Sequence, residues 1–223
     1  LKLEIINKKT FHEWIYPSLI SILFFLFNMI WVSFNYFYFP KKPHTLNQYL
    51  EDFSILSHTN KVLGFTSLQL LAFVYFAYVV ASIYQLAYGT KYKRFPKCLD
   101  FWLKSRKQFG LWAFFFATFH AIATIYVVNP LYLKGWFRSM SNSASTGIMT
   151  INGELNLLTG IVAYLLLVIV ALTSINSIGN SLNFSEWRFV QSELGLSALA
   201  VAVVHDILMY IRIWNERNEM NYD

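Results

Sequence analysis

The sequence predicts an all-α fold, a polytopic bundle of hydrophobic helices that crosses a lipid bilayer about five times. Of its 223 residues, 56% are apolar and 19% aromatic while only 13% are charged, about half the ~25% charged share usual in soluble domains. Runs of about 20 mostly apolar residues, the length that crosses a ~30 Å hydrocarbon core, recur along the whole chain. No Gly-rich or Ser-rich linker interrupts them, so one membrane domain fills the sequence and no separate soluble domain is expected.

The elements follow in order. Residues 1–14 form a basic N-terminal tail with Lys2, Lys8 and Lys9, and the first span runs from Ile15 to Tyr38, stopped by Phe39-Pro40-Lys41-Lys42-Pro43. The second span covers Val62 to Ala87, the third Phe109 to Val128, the fourth Leu155 to Ile175 and the fifth Phe189 to Ile213. The membrane domain is thus residues 15–213, with a tail at 214–223. A start at Leu1 instead of Met, and an odd number of spans, lead to the expectation that the chain is a fragment or processed product lacking a sixth span. The lone Cys98 excludes an intrachain disulfide framework and reads as an ordinary loop thiol.

Orientation is set by lysine and arginine, which are retained on the cytoplasmic side. The stretch 88–108 holds Lys91, Lys93, Arg94, Lys97, Lys104, Arg106 and Lys107 against one acid, Asp100, so it is placed inside together with the N-terminus. Loops 40–61 and 129–154 then lie outside, and loop 176–188 inside. Lipid is the partner that this composition implies, and nucleic acid is not.

His12, His44 and His58 fall in polar segments and read as solvated side chains. His120 and His205 lie deep in apolar spans, where an ionisable group usually faces the bundle interior and a partner. Either one alone is accounted for by a hydrogen bond to a neighbouring helix. As a pair they share a ruler: Gly110 to His120 and Gly195 to His205 are both ten residues. The third and fifth spans run in the same direction, so each imidazole lies ~15 Å outward of its glycine and the two reach one height. Two axial imidazoles at one height fit a single b-type haem held between these helices. Ala113, Ala117, Ala121, Ala198 and Ala202 leave room for a flat macrocycle or serve close helix packing. Zinc fits less well, because its sites take three or four protein ligands. Asp206, next to His205, points about 100° away around the helix and reads as a partner for another polar group.

The motifs around the basic loop carry a resemblance. Gly89-Thr-Lys-Tyr-Lys-Arg-Phe-Pro96, Leu99-Asp100-Phe-Trp102, Arg106-Lys-Gln-Phe-Gly110 and Phe119-His120-Ala121 are similar to the third-helix region of the six-transmembrane epithelial antigen of the prostate (STEAP) metalloreductases. Thr173-Ser174, Ser181-Leu182-Asn183, Phe189-Val-Gln191-Ser192 and Leu194-Gly195, leading to His205, resemble that family's fifth-helix region. The likeness spans roughly residues 62 to 214. It departs where the family's Ser-Leu-Asn-Trp-Arg-Glu-Phe stands as Ser181-Leu182-Asn183-Phe184-Ser185-Glu186-Trp187, and where Asn176 replaces a usual proline. No GxGxxG follows a strand-like segment, so the family's NADPH domain is expected to be absent.

What the resemblance implies is a trimeric metalloreductase in which NADPH reduces FAD at the cytoplasmic face and one bis-histidine haem leads electrons to Fe³⁺ or Cu²⁺ outside. It makes His120 and His205 the haem ligands, and brings Arg106, Lys107, Gln108, Asn183 and Gln191 near an FAD, with Trp102 or Trp187 stacking on its rings. Arg106 and Lys107 also read as the ordinary positive-inside collar. Lys134, Arg138 and Arg212, beyond the third and fifth spans, are candidates to attract an anionic iron or copper chelate, or are scattered solvated charges. The expected protein is therefore a haem subunit in a plasma or endosomal membrane, fed by an NADPH-dependent reductase or family member in a homo- or hetero-trimer. Its rival is a non-enzymatic membrane subunit that assembles with active relatives. A channel fits worse, since the spans lack broken helices and buried charges.

The lysine-rich loop makes the orientation testable. An epitope inserted at Lys97 labels only in permeabilised cells and one at Ser143 labels on intact cells; the opposite pattern would reverse the topology.

Overall fold

The computed structural model describes residues 2–38, 55–88, 94–130, 133, 136–139 and 145–219, with backbone alone for 2–12, 37–38, 138–139, 145–146 and 212–219. In chain order the elements are α1 (Lys2–Tyr38), α2 (Ile55–Tyr88), α3 (Lys97–Lys104), α4 (Arg106–Val127), β1 (Phe137–Ser139), β2 (Ser145–Met149), α5 (Ile151–Thr173), α6 (Asn176–Gly179), α7 (Phe184–Phe189) and α8 (Gly195–Glu219). A π-helical turn, Val190–Leu194, joins α7 to α8.

Among the described residues, five helical stretches are long and apolar enough to cross a membrane: Glu13–Tyr36, Ile55–Tyr88, Arg106–Val127, Ile151–Thr173 and Phe184–Ile211. All five predicted spans are present. Several helices begin before their apolar runs, because hydropathy marks the stretch that suits hydrocarbon and not the point where hydrogen bonding starts. α2 therefore starts at Ile55, and Asn60, placed outside the second span by hydropathy, is helical.

Two features lie outside the expected bundle. The loop between the third and fourth spans carries an antiparallel hairpin in which Phe137 pairs with Met149 and Ser139 with Ser145, across a bulge. Thr150 then caps α5, its side chain accepting from the Gly153 amide at 3.3 Å. Ahead of α4, the short α3 sets apolar Leu99 inward, while Lys104 and Asp100 pair one turn apart on its exposed side.

The chain divides into two compact units, residues 1–41 with 62–117, and residues 42–61 with 118–223. In the first, Leu70, Ala77, Phe109 and Ala113 are fully buried. α1 and α2 are joined by a polar trio: the Asn28 amide donates to Thr66 Oγ1 (3.1 Å) and Gln69 Oε1 (2.8 Å), and Gln69 returns a bond to Asn28 Oδ1 (3.2 Å). Between helices in lipid there is little hydrophobic drive, so such bonds and close packing hold the pair in register. Ser67 adds a bond to the Ala113 carbonyl (2.9 Å), and the Trp112 indole donates to Ser18 (3.1 Å). In the second unit α5 packs along α8 with Leu167, Val170, Ala171 and Ala198 buried.

Replacing Asn28 by Leu removes three bonds and strands the Gln69 amide. The expected loss in detergent-solubilised protein is about 1 kcal/mol, read as a lower thermal midpoint with the helix content unchanged.

Candidate metal centre

His120 on α4 and His205 on α8 both belong to the second unit, and their ring centres stand 6.4 Å apart with planes inclined at 74°. The two histidines paired by their glycine spacing are therefore neighbours. Their hydrogen bonds are alike. Nδ1 of His120 lies 2.9 Å from the carbonyl oxygen of Asn60 on α2, and Nδ1 of His205 lies 2.8 Å from that of Asn156 on α5. A carbonyl can only accept, so both Nδ1 atoms carry the proton and donate. In each neutral ring the lone pair is thereby left on Nε2, the form in which imidazole serves as a metal ligand.

This arrangement fits a bis-histidine haem. A ring nitrogen lies about 1.1 Å from its ring centre, so two nitrogens ~2 Å from one metal on opposite sides place the centres about 6 Å apart. The observed separation agrees. A histidine ligand characteristically donates its other N–H to a carbonyl or carboxylate, which fixes the ring and raises its basicity. Among the described residues no group of three or more His, Cys, Asp or Glu side chains gathers as a metal cage, which leaves this two-nitrogen set as the metal candidate there.

The surroundings of His205 are shaped by α5. A Cβ placed on Gly160 would lie 2.9 Å from Cε1 and 3.0 Å from Nδ1 of the imidazole, so the ring occupies the space that any side chain at 160 would need. Four residues earlier, Asn156 is 2% exposed and its amide donates to the His205 carbonyl at 2.8 Å. Its Oδ1, also buried, has no partner among the described residues. On the other side, the Asn60 amide donates to Thr124 Oγ1 (3.1 Å), and that hydroxyl donates to the His120 carbonyl (2.8 Å). Tyr164 on α5 donates to Thr118 on α4 (3.2 Å), tying the helix of one histidine to that which supports the other.

The seven flavin candidates divide between the units. In the first, one face of Trp102 stacks on Phe73 at 4.3 Å, and its Nε1, Arg106 Nε and Gln108 Oε1 are buried without a hydrogen-bond partner among the described residues. Lys107 on the next position is exposed. Buried polar atoms are rarely left unmatched, so this set can still receive a polar ligand. In the second unit Asn183 and Glu186 cap each other's main chain (2.9 Å each) at the start of α7, and Trp187 lies near Phe184. The Gln191 amide, in the π-turn, donates to the Val170 carbonyl (3.1 Å), Thr173 Oγ1 (2.9 Å) and Ser174 Oγ (3.2 Å). Asn183 and Gln191 thus have structural work of their own. The chelate candidates Lys134, and the side chains of Arg138 and Arg212, lie outside the described residues.

Asn60, Thr124, Asn156 and Gly160 were not among the residues singled out from sequence. The signal available was a glycine and two asparagines within or beside apolar runs, where each has to be satisfied by a neighbour. Gly160→Ala is expected to push the His205 ring off its staggered position at a cost of about 1 kcal/mol, seen as a loss of low-spin haem signal in purified protein whose helix content is unchanged.

Comparison with known proteins identifies the family of the chain. Residues 63–192 match the family of ferric reductase like transmembrane components. The chain is 37% identical over 177 residues to metalloreductase STEAP2 of Mus musculus and 36% identical over 179 residues to that of Homo sapiens, in each case 75% of this chain and 36% of the relative. It is 33% identical over 218 residues to metalloreductase STEAP3 of Rattus norvegicus, 92% of this chain and 43% of that protein. The chain thus spans roughly two-fifths of the length of the curated relatives it matches. It belongs to the ferric reductase-like transmembrane family and, within it, stands with the STEAP metalloreductases.

Proposed function

We propose that this chain is the membrane arm of a metalloreductase, moving electrons from a cytoplasmic flavin to a ferric or cupric chelate on the far side, with His120 and His205 as axial ligands of one b-type haem. The observation that carries this reading is the matched imidazole pair, 6.4 Å between centres, with both Nδ1 atoms committed to carbonyls. A haem bound there would supply one-electron chemistry.

The chain's own residues do the rest. Both Nε2 atoms present lone pairs, the Asn60 and Asn156 carbonyls hold the rings in one orientation, and Gly160 admits the His205 ring against α5. Arg106, Lys107 and Gln108, with Trp102, form the edge that would receive the diphosphate and rings of an FAD; a guanidinium such as that of Arg106, whose Nε has no partner among the described residues, suits a pyrophosphate. Asn183, Trp187 and Gln191 are the flavin contacts proposed for the fifth-span region. Outside, Lys134, Arg138 and Arg212 are proposed to steer an anionic chelate such as ferric citrate. The electron donor is an NADPH-dependent reductase or family member, in a homo- or hetero-trimer of a plasma or endosomal membrane. Iron and copper are both admitted as substrates.

The rival reading, a non-enzymatic subunit that keeps the fold and assembles with active relatives, is separated by reoxidation. The purified chain should carry about one haem, and His120→Ala and His205→Ala should each abolish its low-spin spectrum. Haem reduced with dithionite, then freed of excess reductant, should be reoxidised rapidly by Fe³⁺-citrate. Neutralising Lys134, Arg138 and Arg212 together, or adding salt to shorten the ~8 Å screening length, should slow it. A reduced haem indifferent to ferric and cupric chelates would favour the subunit reading.

A further inference from the structure

Each histidine is held by an asparagine of another helix, and the two asparagines stand in the same local sequence. Asn60-Lys-Val-Leu-Gly64 and Asn156-Leu-Leu-Thr-Gly160 both place a glycine four residues on. In a helix the side chain at i+4 leans back over the carbonyl of residue i. A glycine there uncovers that carbonyl, so it can take a second bond from outside its own helix. At Asn156 the effect is visible: the imidazole that bonds the Asn156 carbonyl occupies the space where a Cβ on Gly160 would be.

The asparagine side chains make a second connection. The Asn156 amide reaches the His205 carbonyl directly (2.8 Å), and the Asn60 amide reaches the His120 carbonyl through the Thr124 hydroxyl (3.1 and 2.8 Å). Each asparagine therefore grips its histidine twice, ring by carbonyl and main chain by amide.

We infer that Asn60 and Asn156, the latter with Gly160 and the former with Thr124, are a matched pair of positioning residues that fix both imidazoles as Nδ1–H tautomers and turn both Nε2 lone pairs to one metal. The inference deepens the proposed haem function and rests on it for the metal. The side-chain amides keep the carbonyls in place, and the carbonyls keep the ligands electron-rich. Loss of either amide link lets the carbonyl drift, weakens the Nδ1–H bond, lowers the basicity of the ligand and favours ferrous over ferric iron.

The test uses the full purified chain labelled with ¹⁵N-histidine, reduced so that low-spin iron is diamagnetic, with His120→Ala and His205→Ala assigning the ring nitrogens. Wild-type rings should show a protonated Nδ1 and an unprotonated Nε2. Asn156→Leu and the isosteric Thr124→Val should each move the Nδ1–H signal of one histidine toward that of a weaker hydrogen bond, raise the midpoint potential and weaken haem retention about tenfold, while Thr124→Ser should restore the wild-type values. Unchanged nitrogen signals and potential in folded Asn156→Leu and Thr124→Val protein overturn the inference. Should Asn156→Leu fail to fold, Thr124→Val against Thr124→Ser decides alone. A wild type without haem sinks the haem reading instead. The nitrogen signals of that haem-free protein still judge the positioning role: Nδ1–H rings scrambled by Thr124→Val uphold it, and Nε2–H rings overturn it.

Discussion

An imidazole inside an apolar span has to give its Nδ1 proton to something, and here both histidines give it to a main-chain carbonyl of a neighbouring helix. Those carbonyls lie in regular helix and serve the helix itself, and that of Asn156 also accepts from the Thr159 hydroxyl (2.9 Å), so the bond to histidine is one more on an acceptor already in use. The bond fixes more than the ring. It sets the height of α2 against α4 and of α5 against α8 within the second unit, because a shift of one residue would carry the carbonyl 1.5 Å along its axis and turn it 100° away.

Other features of the second unit fall into place around that constraint. The hairpin and the Thr150 cap define where α5 begins, one turn and a half before Asn156. At the opposite end, the three bonds from Gln191 lock the last turn of α5 to the π-turn that opens α8. π-turns inside helices recur at functional positions, and this one alters the phase of the chain just ahead of the His205 helix. Helix α5 is thus pinned near both ends, and its middle presents Asn156 and Gly160 to a single side chain. The first unit uses different means, an Asn28–Thr66–Gln69 trio that joins α1 to α2 and a stacked Phe25–Phe116 pair that joins α1 to α4.

The spans were legible because hydrocarbon demands about 20 apolar residues in a row, and that demand is written in composition. The histidine pair was legible because equal spacing from a glycine survives in sequence. That spacing speaks to height along the two helices and not to packing at the glycine. A Cβ on Gly110 would meet nothing within 4 Å, whereas the glycine that the imidazole needs is Gly160, on another helix. Hydropathy also set the start of the second span after Asn60, and so hid the carbonyl that holds His120. Main-chain acceptors leave no mark of their own in a sequence; only the residue that uncovers them does. Short elements such as α3, the hairpin and the π-turn escaped for a related reason, since each is fixed by a few contacts and not by a periodic run.

The central claim is that two imidazoles share one iron. Electron paramagnetic resonance of the oxidised, purified chain, with haem quantified per polypeptide, addresses it most directly. The account predicts one low-spin ferric species per chain with bis-imidazole axial anisotropy. A high-spin ferric signal, or protein that folds with no haem, would contradict it and return His120 and His205 to the role of helix-packing residues.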